Sequence, residues 1–251
     1  MALSDWQRAL GQLVEARASG RDLQPVKDSL AGLELRDTER AWLQEVTETR
    51  GFALTGRVPR WWRETRVRRS ARLTLLALGR EAEARIEEYV RAVPNFTLFF
   101  VAEGLSFLDW VGSIPVPPHV RAVARFEAAM WRMQQVPSTP PSAVDVDLEE
   151  PLARHPAAAL IAFDAAPEAV FGALLMGTAL PEPTPQAHPV LVAPGLPRAW
   201  RPATAEEARA FLACEPAMRV RALHALPGVR ADTIEGLLAA QALIGLPRSS
   251  A

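Results

Sequence analysis

Hydrophobic residues recur at steps of three and four through the first half of the chain, which is the spacing of one helix face. The clearest helix follows Pro117 and Pro118, because proline suits a first helical turn and disfavours a helix interior. Its apolar face comprises Ala122, Val123, Phe126, Ala129, Met130 and Met133, and its opposite face carries Arg121, Arg125 and Arg132. The pattern predicts five or six helices and an all-helical domain over residues 1–136.

Glu127 lies on the flank of this helix, among apolar neighbours. An unpaired buried charge is very costly, so we expect an arginine from another helix to pair with it. A structural ion pair is the simpler interpretation of Glu127, and a functional acid is the alternative.

The pattern changes after residue 136. Residues 137–150 are rich in proline and serine, which predicts an extended linker. Short apolar runs typical of strands follow at Ala157–Phe163 and Val190–Val192, and the second run continues into a predicted hairpin that ends at Arg201. The apolar run Ala169–Met176 fits either a strand or a helix.

Three short helices are predicted downstream of the hairpin. Thr204 and Glu207 form a capping-box pattern for the first, Met218–Leu226 is the second, and Asp232 opens the third. Strands combined with three helices indicate a small winged-helix-like domain over residues 151–251. The predicted fold class is therefore mainly α with a small α+β part: an N-terminal helical domain and a C-terminal winged-helix-like peptide-recognition domain.

Composition narrows the class of protein. The 251 residues allow one large domain or two small ones, and a hydrophobic share of 49% is enough for a sizeable core. The net charge of -1 does not favour a nucleic-acid-coating protein, and the single cysteine excludes disulfide scaffolds and cysteine-based zinc sites within one chain. The first residues lack the apolar core of a signal peptide, and no apolar run reaches the roughly 18 residues of a membrane span. We expect a soluble cytoplasmic protein without a membrane partner.

No catalytic motif is apparent. The four histidines, His119, His155, His188 and His224, are not spaced as metal ligands, the glycines are isolated, and no serine lies in a G-x-S-x-G elbow. Cys214 follows Phe211 on a predicted apolar helix face, where an inert buried thiol is expected. We therefore expect no catalytic residue, metal or cofactor in this chain.

The strongest positive feature is an arginine-rich helix after Pro59, preceded by a predicted break over Gly51–Gly56. Its arginines suit phosphate backbones or an acidic protein surface, and a solvated or internally paired face is the alternative. The candidate residues for such a partner or phosphate surface are Arg63, Arg66, Arg69, Arg121 and Arg125.

Residues 216–226 and 232–244 have the spacing of a helix-turn-helix, yet the second segment offers Asp232, Glu235 and Gln241 and no arginine. A recognition helix normally presents basic and amide side chains to base edges. This disagreement favours protein or peptide binding over DNA reading.

An ordered set of features then resembles a known family. They are an arginine-rich helix that runs into leucines (Arg66 to Leu78), a helix with Tyr89 that ends at Pro94, the pair Glu103 and Gly104, the motif FLDW at Phe107–Trp110, a proline-bounded break, and RAVARFEAAM at Arg121–Met130. In this order they resemble the partner proteins of multinuclear non-haem iron oxidases in the biosynthesis of ribosomally made, modified peptides, with methanobactin biosynthesis as one case. The family's N-terminal helical region is often labelled a DNA-binding domain.

The resemblance implies a non-catalytic subunit of a heterodimer, with iron held by the partner enzyme. This chain would dock on the oxidase and present a precursor peptide through its leader. A leader can add as a strand to an exposed sheet edge. The candidate edge is the hairpin, with Val190, Leu191 and Val192 as peptide-binding residues and Trp200 as an aromatic anchor, or else as core packing. A DNA-binding regulator that uses the arginine-rich helix and the C-terminal helix pair is the alternative.

Overall fold

The computed structural model describes residues 3–93, 99–136 and 148–246, and the chain forms two compact units, residues 1–107 and 108–251. Most of the predicted linker, residues 137–147, and the predicted helix end at Pro94 lie outside the described residues. The two units are described separately below.

The first unit is helical throughout its described residues. Its α-helices are α1 (Leu3–Ala18), α2 (Gln24–Ser29), α3 (Asp37–Thr47), α4 (Arg50–Ser70), α5 (Arg72–Leu78), α6 (Ala82–Ala92) and α7 (Phe100–Ser113), and short 3-10 turns occupy Leu30–Gly32 and Gly79–Glu81. The boundary with the second unit falls inside α7. One core cluster joins α1, α3, α4 and the 3-10 turn Leu30–Gly32 through Ala9, Leu13, Leu30, Leu43 and Phe52.

Helix α4 runs through the predicted break at Gly51–Gly56, so that prediction is wrong. The helix begins where the Thr49 side chain accepts a hydrogen bond of 3.1 Å from the Phe52 amide. Gly56 marks the close contact between α1 and α4, since a Cβ added there would lie 2.3 Å from Cγ of Arg17. The glycine therefore permits close helix packing and does not end the helix.

The second unit contains helices and two small sheets. After α7 come α8 (Pro118–Gln134), β1 (Pro151–Arg154), β2 (Ala159–Phe163), α9 (Pro167–Met176), β3 (His188–Val192), β4 (Trp200–Pro202), α10 (Ala205–Ala213), β5 (Met218–Arg219), α11 (Val220–His224), α12 (Ala231–Ala239) and β6 (Leu243–Gly245). Helix α8 begins at the predicted prolines, and the run at 169–176 is a helix. The mainly α class with a small β part is confirmed.

Both sheets are antiparallel and three-stranded, with the orders β5-β1-β6 and β2-β3-β4. The predicted hairpin is present, because Val192 of β3 lies opposite Trp200 of β4. The Thr204–Glu207 capping box also forms. Residues 218–219 and 243–245 are short strands, although the pattern predicted helix there.

The second sheet, β2-β3-β4, has an apolar core on each face. On one face, Phe126 of α8 packs with Phe163, Phe171 and Trp200 at ring-centroid distances of 4.7 to 6.4 Å. On the other face, Leu191 belongs to a buried cluster with residues of α10, α11 and α12. Because α8 packs on β2 and β3, the chain divides at Phe107, whereas the sequence predicted a first domain of residues 1–136.

Candidate functional site: a groove beside strand β2

A groove of about 440 Å³ lies in the second unit, beside strand β2. Its walls are the end of α7, one face of α8 and the segment Pro156–Ile161 that leads into β2. We call it the β2 groove. Its lining residues are Leu108, Asp109, Gly112, Ser113, Arg125, Ala128, Ala129, Arg132 and residues 156–161.

Helix α8 builds the floor of the β2 groove through its spacing of small and long side chains. Arg125 and Arg132 are seven residues apart, two helical turns or about 10 Å along the axis, and therefore share one face. Ala128 and Ala129 lie between them and are 2% and 3% exposed. These two small side chains form the base of the groove, and the long side chains of the two arginines rise on either side of it.

The two arginines of the β2 groove differ in charge compensation. Arg132 donates to both carboxylate oxygens of Asp109, at 2.6 and 2.7 Å, and both side chains are about half exposed. For Arg125, which is exposed, the described part of the chain supplies no carboxylate partner. Arg125 is therefore the cation of the groove that is available to an acidic ligand.

Strand β2 is an edge strand. It pairs with β3 along one side only, and no backbone hydrogen bond links its other side to any residue in the described ranges. The outer edge of β2 thus presents unpaired amide and carbonyl groups beside the groove, which is the arrangement that accepts an added strand.

The predicted peptide-binding residues Val190, Leu191 and Val192 lie elsewhere. They belong to β3, the central strand, which is paired on both sides, and all three are fully buried. The prediction that they form the accessible edge is wrong. Strand β2 pairs with the side of β3 that β4 leaves open. Trp200 lies on the edge strand β4 and packs at 5.6 Å from Phe126 and 5.4 Å from Phe171, in line with its alternative role in the core.

The edge at β4 is less suited to strand addition. Its last residue is Pro202, which has no amide hydrogen to donate. Arg201 is held by Glu207, with Nη1 donating at 2.8 Å to Oε2. Burial alone would raise the pKa of Glu207, but hydrogen bonds from Arg201 and from Thr204 lower it overall. The carboxylate stays ionised and fixes the arginine to the neighbouring helix.

Arg63, predicted on a partner or phosphate surface, is instead buried in the first unit, at 2% exposure. Its Nε donates to Oε1 of Glu103 at 2.8 Å, and its Nη1 donates to the carbonyl of Val90 at 3.2 Å. The hydroxyl of Tyr89 donates to the same Glu103 oxygen at 2.9 Å. Arg63, Tyr89 and Glu103 form a buried ionic cluster, so the surface prediction for Arg63 is wrong.

Burial raises the pKa of Tyr89 to about 12. The hydrogen bond with Ser106 and the Arg63 charge oppose this shift in pKa, and the Glu103 charge and hydrogen bond add to it. Tyr89 is the only tyrosine in the chain, so absorbance at 295 nm reports its ionisation alone. We expect a titration midpoint near pH 12 in the folded protein and about 10 in urea. A raised folded pKa contributes stability below pH 10 that is lost as the pH rises toward 12. A folded midpoint at 10 would show that the ring is solvated, and Tyr89→Phe supplies the blank.

Gly104 allows α7 to approach the end of α4. A Cβ added there would lie 2.1 Å from Oγ and 2.4 Å from Cβ of Ser70. We expect Gly104→Ala to lower the free energy of unfolding by about 1–3 kcal/mol in urea denaturation, because overpacking outweighs the gain in helix propensity.

Gly112 on the same helix is the matched control, since no atom lies within 4 Å of its added Cβ. Gly112→Ala should be neutral or stabilising by about 0.5–1 kcal/mol. Equal effects of the two substitutions would refute the close approach at Gly104.

The remaining predicted residues occupy different environments. Arg66 is half-buried with its guanidinium 6.0 Å from the Trp62 ring, and Arg69 is exposed. Arg121 directs Nη2 toward the carbonyl of Ile114 at 3.5 Å. Glu127 is buried at 8% exposure, as expected, and its ion pair stays a prediction. Of the five candidate arginines, the structure places only Arg125 in the β2 groove.

Other chemistry at the candidate residues is limited. Burial raises the pKa of Cys214 to about 11, in keeping with an inert thiol. Within residues 3–93, 99–136 and 148–246, no three His, Cys, Asp or Glu side chains are arranged to hold a metal ion. The exposed side of α12 carries Asp232 and Glu235, which would repel a phosphate backbone. None of the helices in the described segments is both long enough and apolar enough to span a bilayer.

Comparison with known proteins adds no assignment. The chain matches no protein-family model, and no curated protein sequence resembles it significantly.

Proposed function

We propose that this chain is a non-catalytic partner subunit that holds a precursor peptide, through its leader, for a multinuclear iron-dependent oxidase. The observation that carries the peptide part is the unpaired outer edge of β2 beside a groove with an uncompensated arginine. The oxidase part rests on the resemblance of the arginine-rich helix, the Glu103–Gly104 pair and the segment Arg121–Met130 to partner proteins of such enzymes.

The β2 edge supports binding by strand addition. Its five residues offer about 17 Å of extended backbone, enough to pair with a segment of similar length. Backbone hydrogen bonds give such complexes affinity, and alternate side chains give specificity. On the groove side, a peptide would place small or apolar residues over Ala128 and Ala129 and an acidic residue at Arg125.

The order of elements after β4 supports the winged-helix part of the proposal. Helix α10, strand β5, helices α11 and α12 and strand β6 follow one another as in a winged-helix domain. The middle strand of their sheet is β1, which comes from an earlier part of the chain. We propose a winged-helix-like recognition domain that has been rearranged in this way and works in the cytoplasm.

Binding to the products of neighbouring genes tests the proposal. The full chain is titrated with each fluorescently labelled short peptide that genes adjacent to its own encode, and co-purification from its host is followed by iron analysis. Binding of the peptide together with a stoichiometric iron-containing partner supports the proposal. If neither the peptide nor the oxidase binds, the proposal fails.

A charge reversal locates the peptide. Arg125→Glu is expected to weaken binding of the peptide about tenfold, a loss of roughly 1.4 kcal/mol. Arg198→Glu is the control, because Arg198 is exposed and lies outside the β2 groove. Equal losses in the two variants would indicate non-specific attraction to positive charge.

A further inference from the structure

The outer face of α4 carries a row of exposed apolar residues. Leu54, Val58 and Trp61 follow one another at steps of four and three, so they share one helix face, and Trp62 lies beside them. Their exposed fractions are 57%, 53%, 56% and 45%, respectively. We call these four residues the tryptophan stripe. Monomeric soluble proteins rarely leave contiguous apolar patches uncovered, which makes the stripe a candidate contact surface.

The two indoles of the tryptophan stripe pack against each other. Their ring centroids are 4.8 Å apart at an interplanar angle of 64°, an edge-to-face pair, and the Arg66 guanidinium lies 6.0 Å from the Trp62 ring. Aromatic side chains that are held in place lose little conformational entropy on binding. Tryptophan and arginine are also the residues most often found at the energetic centre of protein interfaces.

Two pairs of arginines on α4 differ in charge compensation. Arg60 and Arg68, on the flank toward α6, are neutralised by glutamates of the first unit: Arg60 pairs with Glu64 and Glu87, and Arg68 pairs with Glu64 and Glu83. Internal pairing, one of the sequence-based interpretations, therefore holds for this flank.

Arg57 and Arg69, which border the tryptophan stripe, are exposed, and no described carboxylate pairs with either. The stripe is thus rimmed by positive charge that the molecule itself does not compensate, which calls for negative charge on whatever covers it.

We propose that the tryptophan stripe docks a folded protein whose surface offers an apolar hollow rimmed by aspartate and glutamate. The tryptophan stripe shares no residue with the β2 groove, and the inference does not depend on which peptide that groove binds.

Other occupants fit less well. Single-stranded nucleic acid stacks on open aromatic faces, whereas here the indoles meet edge to face and two of the four stripe residues, Leu54 and Val58, are aliphatic. A second copy of this chain across a two-fold axis would bring two positive rims together. A partner with an acidic rim satisfies both the apolar and the charged parts of the surface.

Photocrosslinking tests the proposal in the protein's own host. The full chain carries a benzophenone amino acid at position 61 or, as a control, at position 175, since Leu175 is 58% exposed on α9. The expected result is one protein that crosslinks from position 61 and not from position 175, through a segment in which Asp and Glu surround apolar residues. That protein is then purified and its affinity for the full chain is measured.

We expect Trp61→Ala and Arg69→Glu each to weaken this affinity at least tenfold, while Leu175→Ala leaves it unchanged. Crosslinks from position 61 to nucleic acid, to lipid, to a second copy or to a basic segment would overturn the proposal, as would a yield no higher than that of the control. A crosslinked partner without iron would keep the docking surface and would leave the oxidase to its own co-purification test, so the two proposals can fail separately.

Discussion

Glu103→Gln is expected to lower the free energy of unfolding by about 3–5 kcal/mol, the largest effect of any single substitution considered for this chain. Glu103 and Arg63 are 0% and 2% exposed, so the substitution leaves a guanidinium charge in the interior without its counterion. At this degree of burial, bulk solvent screens the remaining charge only weakly. The measurement is urea denaturation followed by circular dichroism at 222 nm.

Two controls separate the buried pair from ion pairs in general. Asp109→Asn breaks the exposed pair with Arg132, and it should cost less than about 1 kcal/mol. The double variant Arg63→Met, Glu103→Leu removes both charges together, and it should be more stable than Glu103→Gln. A loss below 1 kcal/mol for Glu103→Gln would mean that the cluster is hydrated, and the buried ionic cluster would then be refuted.

Gly112→Trp is expected to reduce affinity for the precursor peptide by about 100-fold or more. Gly112 lines the β2 groove, and the space around its added Cβ is open, so an indole can enter the groove without displacing the helix. The indole would occupy the space that an added strand needs. Several backbone hydrogen bonds, each contributing about 1 kcal/mol, would be lost together.

The control for the filled groove is Gly112→Ala, which adds one methyl group and should bind the peptide as the natural sequence does. Circular dichroism and the urea midpoint verify that Gly112→Trp stays folded. Undiminished peptide binding by folded Gly112→Trp would place the peptide outside the β2 groove. That result would not bear on oxidase docking, which co-purification measures separately.

Local periodicity predicted the elements that depend on neighbouring residues. The start of α8 at Pro118, the β3–β4 hairpin and the capping box at Thr204 all follow from contacts within a few residues. Strands β1, β5 and β6 have two to four residues each and form only through pairing with distant segments. Their sequences carry too little pattern to reveal them.

The candidate site was predicted only in part for the same reason. Arg125 was identified because it lies opposite the apolar face of α8, but the edge character of β2 depends on the order of strands in the sheet. The sequence predicts Arg63 on the surface because a helix that begins after Pro59 lacks the first turns of the buried face. When the helix starts from Thr49, one buried face carries Phe52, Gly56, Arg63 and Val67. That spacing is the sequence signal that identifies Arg63 as buried.

Strand β1 has its two partners, β5 and β6, far downstream in the chain. During synthesis, Arg154 leaves the ribosome about 90 residues before its partner Leu243 does, a delay of roughly 5 to 20 s. Until β5 follows at residue 219, both sides of β1 are open to pairing with other chains, and the side that pairs with β6 stays open for the whole interval. Nascent chains stalled before residue 243 should therefore be the aggregation-prone form of this protein, and a chaperone that covers β1 would act in that window.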